Sequence, residues 1–157
     1  MRKLFTNCII HQNNKVLLGM KKRGFGEGYW NGFGGKVQLG ETIKDAAVRE
    51  LREEAGITAS KLCKLGILDF EFENSTGILE VHLFKCTAYT GKIGESEEMR
   101  PEWFNVDSVP FQEMWQDDIF WFPLFLENKK FKGRFRFDLH NNVIESELTE
   151  VKELKQD

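Results

Sequence analysis

The sequence predicts an α+β fold, built as one domain over residues 1–157. Three observations carry this. Several segments alternate apolar and polar residues around turn-prone dipeptides, one central stretch has the caps and apolar face of a helix, and no repeat, low-complexity tract or linker divides the chain. A chain of 157 residues is long enough for one real core and too short for two comfortable ones.

Taken in order, Lys3–Ile10 and Lys15–Met20 read as strands joined by a turn at Asn13-Asn14. A glycine-rich loop follows, then a short strand near Lys36–Gln38. A helix is expected over Ile43–Ala55, with Thr42 as N-cap, Asp45 three residues on, and Gly56 where a left-handed residue is wanted. Leu65–Glu73 and Ile78–Thr87 form an antiparallel pair about Asn74-Ser75-Thr76-Gly77, and Trp103–Val106 a short strand. A second helix begins near Ile119, with Pro123 limiting it or sitting in its first turn. Phe131–Leu139 and Val143–Thr149 alternate as a final hairpin about Asn141-Asn142.

The first helix carries the chemistry. At about 100° per residue, Glu50, Glu53 and Glu54 fall within an arc of about 100°, while Ala47, Val48, Leu51 and Ala55 share a separate apolar arc. Like charges three and four residues apart repel, so such a stripe destabilises the bare helix unless a cation sits between the carboxylates. Hard oxygen ligands suit Mg²⁺, with Mn²⁺ as a substitute. In the preceding NGFGGK, Gly32, Gly34 and Gly35 leave backbone carbonyls and amides accessible to a metal and its phosphates. A solvated charged face is the bland reading of any Glu-rich helix. The glycines immediately before this one favour catalysis.

The stretch GKVQLGETIKDAAVRELREEAGI, Gly35–Ile57, fits Gly-x5-Glu-x7-Arg-Glu-(apolar)-x-Glu-Glu-x-Gly-(apolar) at every specified position. An accidental match in a chain this long has odds on the order of 10⁻⁷ from ordinary residue frequencies. It resembles the Nudix box, the signature of pyrophosphohydrolases acting on nucleoside-diphosphate-linked compounds. The resemblance implies an α/β/α sandwich, a mixed β-sheet between helices. It also implies that Glu50, Glu53 and Glu54, with a Gly34 or Gly35 carbonyl, contact the metal, and that Glu54 or Glu50 serves as base. Glu98, in GESEEMRP, would complete the metal site, and Glu41 and Arg49 would pair to brace loop against helix.

The chain holds 14 Phe, 4 Trp and 2 Tyr, most of which must be core. MWQDDIFWFP, however, sets Trp115 and Trp121 around Asp117 and Asp118, and a flat aromatic beside hydrogen-bonding carboxyls suits a purine. Two adjacent carboxyls in an apolar pocket do not both ionise comfortably, so one can donate while the other accepts. Changing which Asp holds the proton would swap donor and acceptor and admit more than one modified purine.

With LFTN, GMKKRGFGEGYWNGFGGKVQ, FEF and EMRP, this segment resembles the animal MutT-type, 8-oxo-dGTP-hydrolysing branch of the Nudix family, over about Leu4 to Glu150. That likeness implies hydrolysis of oxidised or alkylated purine nucleoside triphosphates to monophosphate and pyrophosphate, a nucleotide-pool sanitising role. Thr6, Asn31, Asp117 and Asp118 would contact the purine's polar edge and Trp115 its face. Phe25, Phe70, Phe72, Leu79, Trp121 and Phe137 would line the pocket, Lys21 would reach sugar or phosphates, and Phe33, Gly35 and Lys36 would complete the substrate-binding set. Two positions depart from the branch: Leu79 stands where mammalian members have Met, and Asn7 replaces an apolar residue beside Thr6. Both bear on the ranking of substrates rather than on the chemistry.

Composition narrows the alternatives. With 22 basic and 25 acidic residues, a net charge of −3 and no Lys/Arg stripe, binding to long nucleic acid is disfavoured, whereas a small nucleotide is compatible. Cys8, Cys63 and Cys86 are odd in number and lack CxxC, so neither a disulfide framework nor a zinc site is expected. There is no long apolar h-region at the start and no run near ~18 apolar residues. An intracellular, cytoplasmic monomer without membrane contact is expected, and mitochondrial or nuclear residence is compatible. Competing readings keep the Nudix reaction with ADP-ribose, a dinucleotide or capped RNA, or make the chain a non-catalytic nucleotide-binding module. The first would leave Trp115–Asp118 without a task, and the second fits poorly with all three glutamates present.

Overall fold

A computed structural model describes residues 1–156. Eight strands, β1 (Arg2–Gln12), β2 (Lys15–Lys21), β3 (Trp30–Asn31), β4 (Thr58–Phe72), β5 (Ile78–Thr90), β6 (Met99–Asn105), β7 (Lys130–Phe137) and β8 (Val143–Val151), share one sheet with helices α1 (Ile43–Ala55) and α2 (Asp118–Leu126). The strand order is β3-β2-β1-β5-β4-β7-β8, with β6 on the other edge of β2. β1 pairs with β5, and β4 with β7, in parallel; the remaining pairs are antiparallel. The sheet is therefore mixed, as expected.

Side chains alternate across it. Along β1, Ile9 joins a core with Trp121, Phe122 and Phe125 of α2, whereas Cys8 and Ile10 join a second core with Ala47, Leu51 and Ala55 of α1. Val16 and Leu18 repeat this division against Leu17 on β2. One helix thus covers each face, which is the α/β/α sandwich. Helix α1 has its expected ends: Thr42 Oγ1 accepts from the Asp45 N–H at 3.1 Å, and Gly56 adopts φ 77°.

Three expectations need correction. No regular strand forms at Lys36–Gln38: Lys36 makes only an isolated bridge to Phe5, and the short strand is β3. The reason is a splay. β1 and β2 are paired only near their turn, from Ile10↔Leu17 to Gln12↔Lys15, and then diverge. Into this wedge runs the segment 33–37, bonded to β1 by Cys8 N–H to Phe33 O at 2.6 Å, Thr6 N–H to Gly35 O at 2.9 Å and Val37 N–H to Leu4 O at 2.9 Å. Second, α2 runs through Pro123 to Leu126. Proline removes one backbone donor, but burial of Trp121, Phe122 and Phe125 outweighs that loss. Third, β6 starts at Met99 rather than Trp103; it carries Pro101, which an edge strand tolerates. No described helix is long and apolar enough to cross a membrane.

Candidate active site

The wedge between β1 and β2 brings the glycine-rich segment against α1. A Cβ on Gly34 would come 1.8 Å from Thr6 O, and one on Gly35 would meet the Glu50 carboxylate at 2.8 Å, so only glycine lets the backbone pass here. The Gly34 N–H donates to Glu54 Oε1 at 2.9 Å. Glu54 is 5% exposed. Burial pushes its carboxyl up to about 8, with the charges of Glu50 and Glu98 adding to the shift and the Gly34 amide and Lys21 opposing it.

The stripe of glutamates is less uniform than helical spacing alone implies. Glu54 turns inward, Glu50 is largely buried, and Glu53 faces solvent. Arg49 holds the outer two, donating to Glu50 Oε1 at 2.7 Å and Glu53 Oε2 at 3.2 Å. It also braces the loop as expected, donating through Nε and Nη2 to Glu41 at 2.6 and 2.9 Å. That pairing holds the Glu41 carboxyl down at about 2. Glu98 accepts from Lys21 at 3.1 Å and Arg23 at 2.9 Å, and both hold its carboxyl below the usual range. Among the described residues, no three acidic, His or Cys side chains are gathered closely enough to form a ready metal cluster. Each carboxylate is instead tied to a cation or an amide. The donor set still fits a hard divalent ion: Glu54 is desolvated beside two further acids, and a cation there would relieve the burden its burial creates.

From Glu54 a cavity of about 430 Å³ runs across the α2 face of the sheet. Thr6, Lys21, Phe25, Asn31, Gly35, Phe70, Phe72, Leu79, Trp115, Asp117, Asp118, Trp121 and Phe137 all line it, as do Gly34 and Glu54. Phe33 and Lys36 do not. Phe33 faces Cys8 across an isolated antiparallel bridge, so its side chain lies on the α1 side, fully buried; Lys36 is exposed and offers Arg49 only its carbonyl, at 3.2 Å. Glu50, Glu53 and Glu98 stand outside the lining. Leu68, Val81 and Leu83 belong to it and were missed, although the period of two from Phe70 and Leu79 points to each of them. Asn7, noted only as a departure, is in the wall as well.

Aromatic rings make the cavity's sides. Trp115 stacks on Phe25 at 5.2 Å between centroids, and Phe72 on Phe137 at 5.2 Å. At the inner end, Asp117 and Asp118 are buried, and the Trp121 indole N–H donates to Asp117 Oδ2 at 2.8 Å. Burial raises both carboxyls, and the Asp117 charge lifts Asp118 further, while the indole N–H favours an ionised Asp117. Ionisation is therefore opposed more strongly at Asp118 than at Asp117. Thr6 Oγ1 and Asp118 Oδ2 are buried without a hydrogen-bond partner. Orphaned polar atoms on an otherwise apolar wall are what a polar-edged flat ring would satisfy.

The NUDIX domain family model matches residues 1–125. The oxidized purine nucleoside triphosphate hydrolase of Danio rerio is 54% identical over 152 residues, covering 97% of each chain. Its counterpart in Mus musculus is 51% identical over 149 residues, covering 95% of this chain and 96% of the relative. A crystal structure of a MutT protein from Bacillus halodurans superposes with a TM-score of 0.83 at 29% identity, over 93% of this chain and 97% of that one.

Proposed function

The chain belongs to the Nudix hydrolase family, whose members generally use divalent metal ions, and from that membership we propose that it hydrolyses modified purine nucleoside triphosphates. The substrates in this reading are oxidised or alkylated purine (deoxy)nucleotides such as 8-oxo-dGTP, 2-hydroxy-dATP, N6-methyl-dATP and O6-methyl-dGTP. The products are the monophosphate and pyrophosphate, and the role is to clear miscoding bases from the cytoplasmic nucleotide pool. One observation carries the reading: a single cavity has the Asp117–Asp118 pair at its inner end and Glu54 on its wall toward the glutamate helix. Base recognition and phosphate chemistry are thereby joined in one chain, so a monomer suffices.

Mg²⁺, or Mn²⁺ in its place, would be held by Glu50, Glu53, Glu54 and Glu98 with a Gly34 or Gly35 carbonyl. When bound it offsets phosphate charge and acidifies water. The protein's own groups do the rest. Trp115, stacked on Phe25, gives the base an apolar face while Thr6, Asn31 and the Asp pair bond its edge, which fixes the triphosphate toward α1. Lys21, on the lining beside Glu98, balances negative charge on the phosphates. Glu54 is the candidate base: of the three glutamates on α1 it alone lines the cavity, and the Gly34 amide fixes its orientation. It takes a proton from the attacking water as the oxygen bonds to phosphorus and the bridging P–O bond breaks, leaving the electron pair on the departing phosphate.

The test is kcat/KM with Mg²⁺ over those four triphosphates, dGTP and ADP-ribose. Preference for modified purines is expected, with Glu54→Gln lowering kcat by about 10²–10⁴-fold. Turnover of ADP-ribose in place of every triphosphate would overturn the substrate assignment.

A further inference from the structure

Asn7 lies on β1 beside Thr6, with its side chain against the glycine-rich segment. Its Nδ2 donates to Asn31 Oδ1 at 3.2 Å, and the same oxygen accepts the Gly32 N–H at 2.9 Å. An amide oxygen has two lone pairs, and here both are engaged. Asn31 cannot turn its amide over without setting its NH₂ group against two donors at once. Since Asn31 lines the cavity, it offers a ligand donors only.

The same contacts fix Asn7. Reversing its amide would put Oδ1 against Asn31 Oδ1, acceptor on acceptor, so Oδ1 is forced the other way. There it packs onto Gly32, where a Cβ would come within 1.9 Å, and it is buried with no hydrogen-bond partner. An unpaired buried carbonyl costs free energy that an apolar side chain at this position would not incur. The arrangement is poor as a stability device, and its gain is a second lock on Asn31.

We propose that Asn7 is a positioning residue that sets the base preference of the cavity: by saturating Asn31 Oδ1 it commits Asn31 to donate, and so favours rings with a carbonyl at that edge over rings with an exocyclic amine. The proposal rests on the modified-purine reading given above and specifies which purines that site takes best. An amine facing a fixed donor leaves two N–H groups opposed and unpaired in a buried site, whereas a carbonyl completes the bond.

The matched pair 8-oxo-dITP and 8-oxo-dATP, which differ only at C6 and the neighbouring N1, isolates this effect. The expected result is a preference for the 6-oxo substrate in kcat/KM, carried mainly by KM. Asn7→Ala and Asn7→Leu, which remove the donor while shrinking or enlarging the side chain, should each reduce that preference by about threefold to tenfold. In an Asn31→Ala background the Asn7→Ala change should leave the ratio within about twofold, because the lock acts only through Asn31. An unaltered ratio in both single variants, a change in only one of them, or an equal change in the Asn31→Ala background would overturn the assignment. Absence of turnover of either substrate by the unaltered enzyme would instead overturn the functional reading beneath it.

Discussion

The buried acid pair shows how much a single proton decides. Burial raises both carboxyls of the pair, Asp118 further because the charge of Asp117 also opposes its ionisation, while the Trp121 indole N–H partly offsets the shift at Asp117. With the folded pKa raised above the unfolded one, the native state binds the extra proton. Its contribution to stability is complete below the unfolded carboxyl pKa and is lost as pH rises through the folded value. Asp118→Asn imitates the protonated form at every pH. It should therefore flatten the decline and leave the variant more stable at alkaline pH by about 1–3 kcal/mol, read from urea midpoints between pH 5 and 9. If Asp117→Asn and Asp118→Asn both left selectivity among modified purines unchanged, the donor–acceptor exchange would be wrong. These two acids, Thr6 and Asn31 were legible as cavity residues through motif likeness, whereas local sequence alone shows only that the acids are neighbours and that Asn31 precedes the box. Phe33 was misplaced for a physical reason: adjacency to Gly34 says nothing of which face its side chain takes, and its antiparallel bridge to Cys8 turns it to the α1 core.

At the scale of elements, α1 was readable to its last residue because its caps are local: Thr42, Asp45 and Gly56 specify both ends without reference to the sheet. The segment 33–37 was not. Its conformation depends on β1 and β2 diverging beyond Ile10↔Leu17, away from their turn, a feature of tertiary packing with no local signature. That divergence makes Gly34 a joint between the sheet and the glutamate helix. Gly34→Ala would drive a methyl against the Thr6 carbonyl and push away the amide that holds Glu54. We expect a loss of about 2–3 kcal/mol in denaturant unfolding, together with a fall in kcat from the displaced Glu54 and a rise in KM from the shifted Thr6. A fall in KM affinity with normal kcat would place Gly34 in substrate binding instead.

For the whole molecule, the two-faced sandwich was implied by the likeness to the Nudix box, and side-chain alternation along the strands is what realises it, but the strand order was not legible. The parallel contacts of β1 with β5 and β4 with β7 join segments far apart in the chain, and no short-range pattern reports them. The same topology separates function from a stabilising device on the opposite face. Leu68, Phe70, Val81 and Leu83 look into the cavity, whereas Glu80 and His82 alternate to the α1 side with Phe84. The C-terminal tail closes over them there. Leu154 is buried, Lys64 donates to the carbonyls of Lys155 and Gln156, and Lys155 lies 3.6 Å from Glu80, which is itself 2.7 Å from His82 Nε2. Burial lowers the His82 pKa, so the unfolded chain binds a proton there that the folded one does not, and the associated stability is present above the ordinary histidine range and lost as pH falls through it. Truncation after Lys152 should lower the midpoint of thermal unfolding by several degrees, about 1–3 kcal/mol, and weaken its dependence on pH between about 5 and 7. KM and kcat at 25 °C should not move, since the tail and the cavity occupy opposite sides of the sheet. A truncated protein with altered KM would mean that the two faces are coupled through β4 and β5, and that the tail belongs to the active site as well as to the fold.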